Sequence, residues 1–153
     1  MQLHEYSFRM AQPVWETGTA HTMNRTVSFC TDIPLSDLPA GQQIRLAAAA
    51  SCSFVLVVNG QFVAHGPARC AHGFFRVDEY DLTPYLTAQV NRVCLRTAGY
   101  NVNSFSYLNQ PSFLCAEITA GEQVLAATGA GNARDFIAYG VGERIRRVQR
   151  YSF

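Results

Sequence analysis

Phe54-Val55-Leu56-Val57-Val58-Asn59-Gly60-Gln61-Phe62-Val63-Ala64 decides the fold. Two runs of β-branched and apolar residues flank Asn59-Gly60. That dipeptide suits a two-residue hairpin, because both central positions of such a turn need positive φ. Working outward, the same period of two recurs. Residues 43–52 form an Ala-rich apolar run that fits a buried strand. Residues 25–30 place Val27 and Phe29 on one face, and residues 91–98 do so with Val93 and Leu95. Tyr6, Phe8 and Met10 alternate with polar residues near the start. Residues 113–119 and 123–128 flank Ala120-Gly121-Glu122 as a second hairpin, and residues 136–139 and 145–151 read as the last strands.

One segment breaks the alternation. Asp81-Leu82-Thr83-Pro84-Tyr85-Leu86 reads as a short helical turn, with Asp81 as its cap and Pro84 tolerated in a first turn. No long, capped amphipathic helix, internal repeat or low-complexity segment is present. Many short strands joined by Gly, Pro and Asn turns predict an all-β antiparallel sandwich or barrel.

The chain has 153 residues, enough for a single domain over 1–153. Only 15% of residues are charged, against roughly 25% in ordinary soluble domains. A surface that poor in charge suggests that part of it is covered by another domain or subunit. The net charge of +1 gives no reason to expect nucleic acid or an acidic membrane as partner. All twelve basic residues are Arg.

Five cysteines, Cys30, Cys52, Cys70, Cys94 and Cys115, form no tight pairing pattern, and most lie in apolar runs. They read as reduced core thiols, which predicts a cytoplasmic protein. No basic stretch followed by an apolar core opens the chain, and no apolar run approaches a membrane span. The last residues, Arg146-Arg147-Val148-Gln149-Arg150-Tyr151-Ser152-Phe153, read as a strand still in progress, so the natural chain is expected to run on.

Three stretches carry a resemblance. The first runs from Val57-Val58-Asn59-Gly60 through His65-Gly66-Pro67-Ala68-Arg69. The second is Asp78-Glu79-Tyr80-Asp81-Leu82-Thr83-Pro84-Tyr85-Leu86, leading to Asn91-Arg92-Val93. The third joins Asn103-Ser104-Phe105 to Pro111-Ser112-Phe113-Leu114 and Ala116-Glu117-Ile118. Together, over residues 25–153, they resemble the N-terminal region of bacterial α-L-rhamnosidases. The first two also resemble the jelly rolls of β-galactosidases and β-glucuronidases; Gly66-Pro67-Ala68-Arg69 tilts the reading to rhamnosidases. The family carries Gly in the turn before Asn91, where Gln89 stands here.

The resemblance implies a jelly-roll, galactose-binding-like β-sandwich without catalytic residues. It implies an inverting glycosidase whose (α/α) barrel lies downstream and acts as this domain's packing partner. The shared pattern has structural uses. Asn59-Gly60 turns a hairpin, Gly66-Pro67 ends its second strand, and Leu82, Tyr85 and Leu86 plug one end of the sandwich.

Local chemistry agrees with a non-catalytic reading. Inversion needs an acid and a base roughly 6.5–9.5 Å apart. Asp78, Glu79 and Asp81 are the only carboxylate cluster, but Asp78 and Glu79 point to opposite faces of an extended chain. His65, Cys70 and His72 match no zinc spacing, and no third group orients a Cys70–His72 pair for nucleophilic work. Gly129-Ala130-Gly131 lacks the Lys and helix start of a phosphate loop. The basic set Arg144, Arg146, Arg147 and Arg150 reads as a solvated strand face or a domain contact. No metal or other cofactor is expected.

Carbohydrate binding is the alternative from another class. Aromatic faces cover sugar C–H patches and planar amides take the hydroxyls. Tyr100, Asn101, Asn103 and Tyr107 have that composition, with Trp15 as the lone tryptophan. Against this stands packing of the same aromatics inside the sandwich or against a catalytic domain, which is the preferred reading. A structural domain that stabilises a homo-oligomer is the third.

Overall fold

A computed structural model describes residues 5–71, 73–103, 107–131 and 134–142. Nine strands were found among them: β1 (Arg25–Pro34), β2 (Ile44–Ala50), β3 (Ser53–Val58), β4 (Gln61–Gly66), β5 (Asp78–Asp81), β6 (Val90–Gly99), β7 (Leu114–Ala120), β8 (Gln123–Ala127) and β9 (Ile137–Gly140). They build two sheets, ordered β4-β3-β6-β1-β9 and β5-β2-β7-β8, with every pairing antiparallel. The protein is an all-β antiparallel sandwich. The strand expected over residues 145–151, with the arginines at 144, 146, 147 and 150, lies outside the described residues.

The sequence pattern explains the layers. Val27, Phe29, Phe54, Leu56, Val93 and Leu95 point inward from the five-stranded sheet, and Leu46, Leu114 and Ile118 from the four-stranded one. Asn59 and Gly60 adopt φ of 52° and 80°, the left-handed pair that turns the β3–β4 hairpin. Gly66 ends β4 at a cis bond to Pro67. A methyl at Gly66 would lie 2.8 Å from Asp78 Oδ2 and 3.0 Å from Phe54, so the close approach there requires glycine. Gln89 takes no positive φ; its carbonyl accepts the Leu35 N–H at 2.9 Å. The departure from the family's glycine therefore leaves this turn unstrained.

The expected plug is present. Thr83–Tyr85 forms one 3₁₀ turn, with Leu82 and Leu86 buried and Tyr85 packed on the core. The N-cap of this turn is Leu82, which has no capping side chain, and not the expected Asp81; Asp81, one residue earlier, accepts the Thr83 N–H on Oδ1 at 2.9 Å. Asn91, wholly buried, ties the plug to the sandwich. Its Oδ1 accepts from Ala88 N and Asn59 Nδ2, both at 2.9 Å, and its Nδ2 donates to Ala88 O at 2.9 Å. Asn59 Nδ2 also donates to Tyr85 O at 3.0 Å, so the turn residue braces the plug as well as the hairpin.

Two further expectations need correction. Residues 6–10 do not form a strand. Residues 5–15 instead lie as a strap over the outer face of the four-stranded sheet. Val14 makes one bridge to Leu114, and Gln12 N donates to Thr128 O at 2.8 Å. The Ala-rich run explains the placement: Ala47 and Ala49 point away from the core yet are buried, because small side chains let a second layer approach. Nor are all five cysteines free. Cys30 and Cys94 face each other across β1 and β6 and form a disulfide, while Cys52, Cys70 and Cys115 are free thiols. A separation of 64 residues hid the pair, since only the strand register brings the two together.

Candidate functional site

The five residues with a sugar-binding composition do not converge. Trp15 packs against Phe29, ring centroids 5.7 Å apart, as part of the core. A methyl on Gly99 would come within 3.0 Å of its ring. Its indole N–H is buried without a partner among the described residues. Asn101 is buried at φ 46°, and its Nδ2 donates to Ala20 O, Thr22 O and Ser112 Oγ at 2.9–3.0 Å. It is a loop clamp. Asn103 Oδ1 accepts the Asn109 N–H at 2.8 Å and closes its own loop. Only Tyr100 and Tyr107 stay together, ring centroids 4.5 Å apart.

That pair supports a residue not included in the set. The Arg69 guanidinium lies over the Tyr107 ring, 5.8 Å from its centroid. Burial holds the Tyr107 hydroxyl above its ordinary pKa, with the Tyr100 phenol adding to this and Arg69 opposing it. Arg69 and Tyr107, together with Ser51, Cys52, Phe74, Leu108 and Gln110, line an open cleft of about 300 Å³ at one end of the sandwich. Its walls are the β2–β3 turn, the loop after β4 and the loop before β7. In the sequence Arg69 is merely the last residue of Gly66-Pro67-Ala68-Arg69. Its position over an aromatic ring 38 residues away is invisible without the fold.

The other chemical candidates have structural partners. Asp78 takes Arg76 at 2.6 Å, Ala68 N at 3.1 Å and the Tyr80 hydroxyl at 3.4 Å. Burial first, then the Asp78 charge, pushes the Tyr80 pKa up to about 12. Hydrogen bonds from Thr83 and Gln43 hold the Asp81 carboxyl below its ordinary range. Glu79 points to the opposite face and lines a recess of about 980 Å³ beside the strap. Cys70 Sγ donates to Phe74 O at 2.8 Å; His72 lies outside the described residues. No group of three metal ligands occurs among the described residues. Asp135 fills the turn that mimics a phosphate loop, accepting from Gly129 N and Gly131 N at 2.9 and 3.0 Å.

Glu117 escaped the sequence reading. It is 2% exposed on the strap-covered face of β7. Its carboxylate accepts three successive backbone N–H groups, from Arg9 at 3.3 Å, Met10 at 2.7 Å and Ala11 at 3.1 Å. A buried carboxylate so surrounded is an anchor for the strap. Beside the strap is an apolar recess of about 530 Å³ lined by Phe8, Pro13, Ala49, Val77, Phe113 and Phe75. Phe75 remains 51% exposed while stacking edge-on against Phe113 at 4.7 Å.

No protein-family model and no curated protein matches the sequence. Among solved structures, a GH78 family rhamnosidase of Bacillus sp. GL1 superposes with a TM-score of 0.77 at 26% identity. The match covers 90% of this chain and 14% of that one. By fold and comparison the chain is therefore a β-sandwich domain similar to part of a GH78 family rhamnosidase. In extent, it corresponds to a small part of the Bacillus enzyme's chain.

Proposed function

We propose that the chain is a non-catalytic, N-terminal accessory domain of an α-L-rhamnosidase-like glycoside hydrolase, packing against and supporting a catalytic domain elsewhere in a longer polypeptide. The observation that carries this is the unequal coverage: nearly all of this chain matches a small fraction of a rhamnosidase. The arrangement of carboxylates supports the same reading. Asp78, Asp81 and Glu117 are bound to groups that hold the fold, which leaves no opposed acid and base among them.

The strap over the four-stranded sheet, with the apolar recess beside it, is the contact surface in this proposal. Phe75 is exposed there beside Phe8, Val77 and Phe113, and Met10 is exposed on the same strap beside Val124 and Ala130. Aromatic residues and Met with few charges are the composition of an interface core. The test is hydrolysis of p-nitrophenyl α-L-rhamnoside by the purified 153-residue chain. The expected result is no release above a buffer blank. Turnover that follows the protein through purification and vanishes on unfolding would overturn the non-catalytic role.

A further inference from the structure

The cleft over Tyr107 has a charge it does not balance. Among the described residues, Arg9, Arg25, Arg76, Arg92 and Arg134 each pair with a carboxylate. Arg45 bonds Gln43 and stands opposite Asp81 in the strand register. Arg96, exposed on the outer face of β6, has no carboxylate partner among the described residues. Arg69 has none either, but it lies in a cleft: its neighbour is Tyr107, by ring and by side-chain hydrogen bond, and no Asp or Glu is among the described residues that line the cleft. Arg76, the second cation there, is already matched by Asp78. Among the described residues, the cleft thus holds one positive charge with no carboxylate beside it.

Arg69 is also pre-positioned. Tyr100 backs Tyr107, Tyr107 supports the guanidinium, and the Ala68 N–H is fixed to Asp78 at 3.1 Å. A guanidinium held on a ring can present a planar edge to a carboxylate as two parallel hydrogen bonds. Phe74 and Leu108, 55% and 46% exposed, add apolar walls suited to the C–H face of a pyranose. Gln110 spends its amide N–H on Ser51 O at 3.1 Å, which leaves its carbonyl oxygen to accept from a hydroxyl. The volume of about 300 Å³ sits at the lower end for small-molecule sites and suits one sugar ring.

We propose that this cleft binds a uronic acid residue, a sugar ring whose carboxylate pairs with Arg69. The sugar part rests on the glycosidase reading above; the carboxylate part rests on the charge and geometry of the cleft. One guanidinium matches the single charge of a carboxylate better than a doubly charged phosphate.

The experiment is an NMR titration of the 15N-labelled chain with sodium D-galacturonate at constant ionic strength. D-galactose and sodium acetate serve as separate arms. The expected result is saturable shifts of the Arg69 Nε–H and Gln110 side-chain amide with galacturonate, and binding about tenfold weaker or more for both controls. Arg69→Gln should weaken galacturonate by about tenfold or more, whereas Arg96→Gln, on the outer face of β6, should leave it unchanged. Amide dispersion shows directly that each variant is folded. No saturable shift up to tens of millimolar overturns the proposal, as does equal response to galactose. Equal response to acetate also overturns it, by reducing the cleft to a bare carboxylate site such as a protein side chain would fill. None of these failures bears on the accessory-domain reading, which is tested by rhamnoside turnover and by the length of the native polypeptide.

Discussion

Glu117→Gln tests how the strap is held. The parent carboxylate accepts three successive N–H groups at 2.7–3.3 Å in a site 2% exposed. Hydrogen bonds to a charged group contribute about 1.5–3 kcal/mol each. Their sum does not bound the loss, because the strap can undock and let water take the three donors. Glutamine keeps one acceptor oxygen, loses the charge and turns an NH₂ toward a backbone N–H. The expected cost is about 2–3 kcal/mol, roughly one charge-assisted bond plus one repulsive contact. At about 2–4 °C per kcal/mol for a domain of this size, Tm should fall by about 4–12 °C. Thermal unfolding by circular dichroism reads the global effect, and native-state hydrogen exchange reads the amides of Arg9, Met10 and Ala11. Their protection should collapse before that of the β1–β6 amides, since the strap forms an outer layer. A variant that keeps protection at those three amides and unfolds within about 1 °C of the parent would refute the clamp.

Three further outcomes follow from the same geometry. Asn91→Ala removes a wholly buried side chain and its bonds to Ala88 and Asn59, and should cost about 2–4 kcal/mol in urea unfolding; a midpoint unchanged from the parent would contradict the bracing role. Thiol titration of the chain unfolded without reductant should find three thiols, Cys52, Cys70 and Cys115; five would contradict the Cys30–Cys94 bond. Above pH 9, stability should decline. Burial pushes Cys115 from 9.0 up to about 11 and Tyr80 from 10.0 up to about 12. Both groups thus hold their protons longer folded than unfolded, and their contribution is complete below pH 9 and lost as pH rises through these ranges. Cys115→Ala should flatten the first part of the fall in denaturant midpoint; an unaltered slope between pH 9 and 11 would count against it.

The hairpin at Asn59-Gly60, the plug at residues 81–86 and the core faces of β1 and β6 could be read from sequence because each is encoded by neighbours: a turn dipeptide, a proline turn between apolar residues, an alternation. Other features depend on partners far away in the chain. Glu117 meets its donors more than 100 residues away, Cys30 meets Cys94 only through strand register, and Arg69 meets Tyr107 only when two loops close on each other. The strap misled for a different reason. Of Tyr6, Phe8 and Met10 only Phe8 packs on the sheet while the other two are exposed, so an alternation in sequence here marks neither a strand nor a buried face. Trp15 and Asn101 looked like ligand-binding residues because composition does not distinguish an aromatic that packs the core, or an amide that clamps a loop, from one that meets a sugar.

The most direct test of the central claim is the length of the native polypeptide that carries this sequence, read by mass spectrometry of the protein from its source. The account predicts a chain several times the 16.9 kDa of these 153 residues, with a catalytic domain in the remainder. A native polypeptide of 16.9 kDa would contradict it.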